Sequence, residues 1–241
     1  MKRLIVIASG SKNNAALIVN DNKTILVDCG VSLRGLRAVY EQFSLDISDL
    51  EAVFVTHSHS DHTKYLPTLK KNLNVPFYSG ASIDGCQKFC SEISLDSFGV
   101  TALECIHDVP CFGYRISMDG TDFAIATDIG VMSPELLLSL VGCDTVMLES
   151  NHDVNMVKYG PYPPSLKDRI LSKFGHLSNE ECAKSLAFLA SKGLKKAVLA
   201  HLSENNNTPL LARDVNTKEL KKYGFDNVEI FAAEPMLEVT L

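Results

Sequence analysis

The chain has 241 residues, 46% of them hydrophobic and 22% charged, proportions of a globular protein with one large core and not of a disordered or fibrous one. Its formal net charge of −6 gives no whole-molecule attraction to nucleic acid or to an anionic membrane, so a polyanionic substrate would have to be drawn by local charge. Seven cysteines without a Cys-x-x-Cys suit free thiols in a reducing cytosol, and no apolar run approaches membrane-spanning length, so the expectation is a cytoplasmic protein with no membrane partner.

In chain order, LIVIA at 4–8 is shorter than a secretory core and is followed at once by a polar loop, so it reads as a first strand and not as a signal peptide. ALIV, TILVD, AVFVT, TALECI, AIAT, TVMLE, AVLA and VEIF follow as short, β-branched-rich runs of the kind that form buried strands. Asp119-Gly120 between GYRISM and TDFAIAT is a two-residue hairpin signal. Ser133-Pro134-Glu135 starts a helix with an N-cap, a first-turn proline and an acid that suits the helix dipole. Asn151 to Gly175 reads as a long, proline-bearing connection. Ser178 with Glu181 forms a capping box for a helix that runs to Gly193, and Thr208-Pro209 opens another that ends near Gly224. No linker or low-complexity tract divides the chain, so residues 1–241 are expected to form one domain of sheets covered by helices.

Thr56-His57-Ser58-His59-Ser60-Asp61-His62 carries the chemistry. Residues two apart in an extended chain point to one side, so His57 and His59 can converge on a metal, and a turn can send Asp61 and His62 to a second. Imidazole and carboxylate are ligands for zinc and similar divalent ions. His107 follows ALECI, Asp128 follows AIAT and His201 follows AVLA, just as His57 follows AVFV. Alone, each is more simply a hydrogen-bonded residue at a strand end; together with the first motif they describe a site at one end of the sheets.

The His-x-His-x-Asp-His signature, the later His107, Asp128 and His201, and Asp28 in ILVDCG resemble the metallo-β-lactamase superfamily. The resemblance implies an α/β fold, a four-layer αββα sandwich with a binuclear site. His57, His59 and His107 would bind one metal, Asp61, His62 and His201 the other, with Asp128 bridging and Asp28 orienting the ligand loop. Glu149 at a strand end and His176 before the capped helix resemble the assisting pair of the ribonuclease Z branch. Ser9-Gly10-Ser11, Gly160-Pro161-Tyr162-Pro163 and Leu166-Lys167-Asp168-Arg169-Ile170 are similar to the bacterial YycJ (WalJ) subfamily of 5′ DNA exonucleases. Asn13 departs from it, where glycine is expected before Asn14 and an asparagine at positive φ would keep the loop.

The resemblance therefore implies a two-metal nuclease. Zinc is the first expectation, manganese and iron accept similar ligands, and DNA is favoured over RNA as the nucleic acid partner. A hydroxide bridging the metals would attack phosphorus, Asp61 would ligate and accept the proton, and His176, held by Glu149, would protonate the leaving oxygen. The alternative is a small-molecule hydrolase of thioesters or lactones on the same metals, with no need for Glu149 or His176. A dead binding module should have lost ligands, yet all seven are present. Lys64, Lys70, Lys71, Lys158, Lys167, Arg169 and Lys173 flank the motifs and could touch a nucleic acid backbone, though for each one solvated surface is the simpler reading. Structural roles are equally open for His152, Tyr159 and Tyr162, and are assigned to the cysteines.

Overall fold

The structure, a computed structural model, describes residues 1–241. The first half of the chain is built from β1 (Lys2–Ala8), β2 (Ala15–Asn20), β3 (Lys23–Val27), α1 (Leu33–Gln42), β4 (Leu50–Phe54), α2 (Ser60–Thr63), α3 (Leu66–Asn72), β5 (Phe77–Ser79) and β6 (Gln87–Lys88). The second half supplies β7 (Glu92–Ser94), β8 (Gly99–Cys105), β9 (Cys111–Met118), β10 (Thr121–Ala126), α4 (Pro134–Ser139), β11 (Thr145–Glu149), α5 (Val154–Tyr159), α6 (Pro164–Ile170), α7 (Asn179–Ala190), β12 (Lys196–Ala200), α8 (Pro209–Lys222), β13 (Glu229–Ala232) and β14 (Leu237–Thr240). They make two seven-stranded sheets, ordered β14-β1-β2-β3-β4-β5-β6 and β13-β12-β11-β10-β9-β8-β7. Each sheet is antiparallel on one side and parallel on the other, the change falling at β3 in the first and β10 in the second.

Three apolar clusters define four layers, helices–sheet–sheet–helices, as expected from the sequence. Between the sheets, Leu4, Val6, Phe54, Tyr114, Phe123 and Val198 pack together. Outside the first sheet, Ile5, Leu17 and Val53 meet Leu36 and Val39 of α1 and Leu69 of α3. Outside the second, Val146 and Leu199 meet Leu136 of α4, Leu186 of α7 and Leu220 of α8. Successive residues of a strand face opposite sides, and here both sides are covered, which is why these strands read as unbroken apolar runs. Fully burying one such side chain stabilises by about 1.5–3 kcal/mol, and the repetition of that term over three clusters opposes chain entropy. No helix is long and apolar enough to cross a membrane.

The local signals act as their chemistry suggests. Asp119 and Gly120 both take positive φ (42° and 78°), as a tight hairpin turn requires. Ser133 Oγ accepts from Leu136 N and Thr208 Oγ1 from Leu211 N. Ser178 Oγ accepts from Glu181 N, but Glu181 Oε1 takes Lys184 instead of turning back, so only half of the capping box forms. The connection from Asn151 to Gly175 contains two short helices, α5 and α6, where no element was anticipated. Asn13 is not in the left-handed region; the unusual φ of its loop, 144°, falls on Gly10.

Candidate metal centre and active site

Every candidate lies at one end of the sandwich. His57 follows β4, His59 caps α2, and Asp61 and His62 lie within α2. His107 follows β8, Asp128 follows β10, Glu149 ends β11, His201 follows β12, and His176 precedes α7. The donor atoms of His57, His59 and His107 come within 4.8 Å of one another, as do those of Asp61, His62 and His201. Asp128 joins a third such group with His57 and His62, and a fourth with Glu149, His176 and His201. Asp128 thus stands between the two three-residue groups.

The outer nitrogens of four imidazoles are hydrogen-bonded in a way that leaves the inner ones of three free, the exception being His62, whose Nε2 lies 2.9 Å from Asn14 Nδ2. His62 Nδ1 donates to Asp28 Oδ2 at 2.7 Å, His107 Nδ1 to the Gly175 carbonyl at 3.1 Å and His201 Nδ1 to Glu149 Oε1 at 2.9 Å. Thr56 Oγ1 donates to Asp28 Oδ1 at 2.9 Å and so can accept from His57 Nδ1 at 3.0 Å. A hydrogen bond at Nδ1 sets the tautomer that presents a lone pair at Nε2. Buried Nε2 atoms of His57, His107 and His201, and Asp128 Oδ2, have no hydrogen-bond partner. Orphaned buried polar atoms are costly, and a cluster of them aimed at common points fits a divalent cation.

Burial, reinforced by His62, pushes the His57 imidazole down to about 2, so it stays a neutral ligand. Burial would push His201 down too, but Asp128, Asp61 and Glu149 outweigh it and raise the imidazole to about 10. Burial would raise Glu149, but the His176 imidazole and hydrogen bonds from His176 and His201 hold its carboxyl at about 2. These side chains therefore form a net of carboxylates and imidazoles whose charges answer one another.

Backbone strain and close packing hold this arrangement. Asp28, Asp128 and His201, each just beyond a strand, take φ of 67°, 58° and 54°, a region costly for residues with a Cβ. Such strain persists where the surroundings over-determine it, and here it turns three side chains into one pocket. Gly30 permits a backbone contact: an added Cβ would lie 2.4 Å from both Asn14 N and Asp61 O. Gly175 does the same beside His176, where a Cβ would meet Ile170 O at 2.2 Å and Arg169 O at 2.3 Å.

Glu149 does more than the sequence suggested. Its Oε1 accepts from His176 Nδ1 at 2.8 Å as well as from His201, and its Oε2 accepts from Ile129 N and Leu177 N at 2.7 and 3.0 Å. Residues not singled out also reach the centre. Asn14 Nδ2 donates to Asp61 Oδ2 at 2.9 Å, Asn151 Nδ2 donates to the His201 carbonyl at 2.7 Å, and Asp108 Oδ1 lies 3.2 Å from the Nε2 of both His59 and His107. Position beside a motif was the only signal for Asn14 and Asp108. His152 is buried beside Asn151, and burial lowers its imidazole to about 4. The Tyr162 hydroxyl accepts from Asn205 Nδ2 at 2.8 Å, anchoring a loop, whereas Tyr159 is 85% exposed. All seven cysteines are unpaired.

Residues 9–85 match the metallo-beta-lactamase superfamily. The exodeoxyribonuclease YycJ of Bacillus anthracis is 36% identical over 94% of this chain and 92% of its own. The chain belongs to the metallo-β-lactamase superfamily, with the YycJ/WalJ proteins among its relatives. The exodeoxyribonuclease WalJ of Streptococcus pneumoniae is 31% identical over 89% of this chain and 87% of its own. The crystal structure of the metallo-beta-lactamase fold protein YhfI from Bacillus subtilis superposes with a TM-score of 0.74 over 99% of this chain and 98% of that one, at 16% identity, which is a likeness of fold. As a member of this superfamily with a buried His/Asp cluster, the chain is a metal-dependent hydrolase.

Proposed function

We propose that the protein is a nuclease that removes nucleotides from the 5′ end of DNA and works with two divalent cations, zinc first, with manganese or iron able to use the same ligands. The observation that carries this reading is the hydrogen bond between His176 and Glu149 at the edge of two donor groups joined by Asp128, together with the relatives' naming as exodeoxyribonucleases. In this reading His57, His59 and His107 would hold one cation, Asp61, His62 and His201 the other, and Asp128 would serve both. Bound there, the cations would polarise phosphate oxygens and make water a stronger nucleophile near neutral pH.

The chain's own groups supply the rest. Asp61, positioned by Asn14 and partly exposed, accepts the proton of the attacking water. His176 binds Glu149 through Nδ1, so its Nε2 is the atom left to deliver a proton to the departing sugar oxygen. A thiolate leaves more readily than a sugar alkoxide, so a thioesterase would not need this pair. Because ligands come from both sheets, residues 1–241 act in this proposal as one domain, and its free thiols suit a reducing cytoplasm.

The test joins metal analysis of the purified protein to cleavage of end-labelled single-stranded DNA, nicked duplex and RNA. Two equivalents of cation and DNA shortened stepwise from its 5′ end are expected. Hydrolysis of thioesters or lactones with no attack on any phosphodiester would overturn the proposal.

A further inference from the structure

The mouth of the three-histidine group carries a carboxylate and a guanidinium that the proposed chemistry does not use. Asp108 Oδ1 lies 3.2 Å from His59 Nε2 and from His107 Nε2, touching both donor atoms. Its other oxygen, Oδ2, accepts from Arg169 Nη2 at 2.7 Å. The Asp108 side chain is 31% exposed and that of Arg169 61%, so the pair sits at the surface of the site and most of the guanidinium fork faces solvent. Next to it opens a cavity of about 520 Å³ lined by Asp108, Phe112, Lys173 and Phe174 among others.

The backbone that carries Arg169 is packed close to the site. It lies in the last turn of α6, and the carbonyls of Arg169 and Ile170 close against Gly175. Gly175 in turn accepts from His107 through its carbonyl, and His176 N donates to Ile170 O at 3.2 Å. The element bearing Arg169 is therefore tied to a candidate ligand on one side and to the candidate proton donor on the other.

We propose that Asp108 is a built-in stand-in for a substrate phosphate and that Arg169 is the phosphate clamp it keeps in place. A carboxylate and a phosphate both offer a pair of anionic oxygens that a guanidinium fork can bind. An anion approaching a cation held by His57, His59 and His107 from this open side would have to compete with the carboxylate of Asp108. When it does, Asp108 swings out and Arg169 transfers its hydrogen bond to the phosphate. The proposal deepens the nuclease reading and rests on it for the identity of the phosphate. The latch lowers affinity for stray anions and gives a net-acidic protein a local cation aimed at a phosphate backbone.

The test uses the zinc-loaded protein and inorganic phosphate in calorimetry, with KM and kcat on labelled DNA measured in parallel. Asp108→Asn should tighten phosphate binding several-fold, because a competing charge is gone. Arg169→Ala should weaken it about tenfold, the scale of one charged hydrogen bond, with KM on DNA rising more than kcat falls. Arg169→Lys should recover part of the loss. The deciding protein is the double variant: added to Asp108→Asn, Arg169→Ala should still cost about tenfold. If the double variant binds phosphate like Asp108→Asn alone, Arg169 merely holds Asp108 and the proposal falls. Loss of a cation equivalent in Asp108→Asn would also overturn it, since Asp108 would then be a ligand. A phosphate series that behaves as expected in a protein that cleaves no DNA supports the latch while removing the nuclease reading.

Discussion

The candidate site has a closed wall and an open one. On the closed side His57, His62, Asp128, Glu149 and His201 are buried, with Glu149 alone accepting four hydrogen bonds. On the open side His59, Asp61, Asp108 and His176 have side chains 31%, 19%, 31% and 23% exposed, and their neighbours reach solvent. The difference separates two tasks. In the proposed reading, most groups that would hold the cations are buried and over-determined, whereas the groups proposed to exchange a proton or yield to a substrate keep one edge in water.

The largest test of this division is Asp128→Asn, which removes the buried charge shared by both donor groups. Activity should fall to background and cation content should drop in metal analysis; full cation content would deny Asp128 its joining role. His176→Ala, on the open wall, should lower turnover by roughly 10²–10⁴-fold while cation content stays unchanged. Equal loss of cation and turnover would move His176 to the closed wall. Glu149→Gln lies between the walls and should show both faults, with cation affinity weakened roughly 10–100-fold in competition with a chelator.

The same variant sharpens the electrostatic picture in metal-free protein. Glu149 has a folded-state carboxyl at about 2 against an ordinary 4.5, so its contribution to stability is complete above the ordinary value and is lost as pH falls through the folded one. Acid unfolding of Glu149→Gln should lack that part of the slope between those limits. A smaller effect is expected from Tyr114→Phe. The buried Tyr114 hydroxyl donates to the carbonyl of Val55, just ahead of His57, and its loss should cost about 1–2 kcal/mol in denaturant unfolding with little change in turnover.

Much of this was legible in single stretches. The strands declared themselves because both faces of the sheets are covered, and the histidine motif did so because its ligands are neighbours in the chain. The pairing of Glu149 with His176 was expected, but the second bond of Glu149 to His201, 52 positions away, was not. The helices α5 and α6 were hidden in a segment whose prolines read as connection, although proline in a first turn is compatible with a helix. Gly175 showed no signal beyond its type, since its need for close packing comes from α6 folding back onto it.

Chain order and composition determined the elements, their caps and the residue types able to hold cations, because those depend on interactions within a few residues. Tertiary structure alone decided which imidazole nitrogens are free, which carboxylates face which imidazoles, and that Asp108 meets Arg169 across 61 positions of chain. Those outcomes depend on the packing of two sheets face to face, which brings distant strand ends to one rim and removes the water that would otherwise screen their charges.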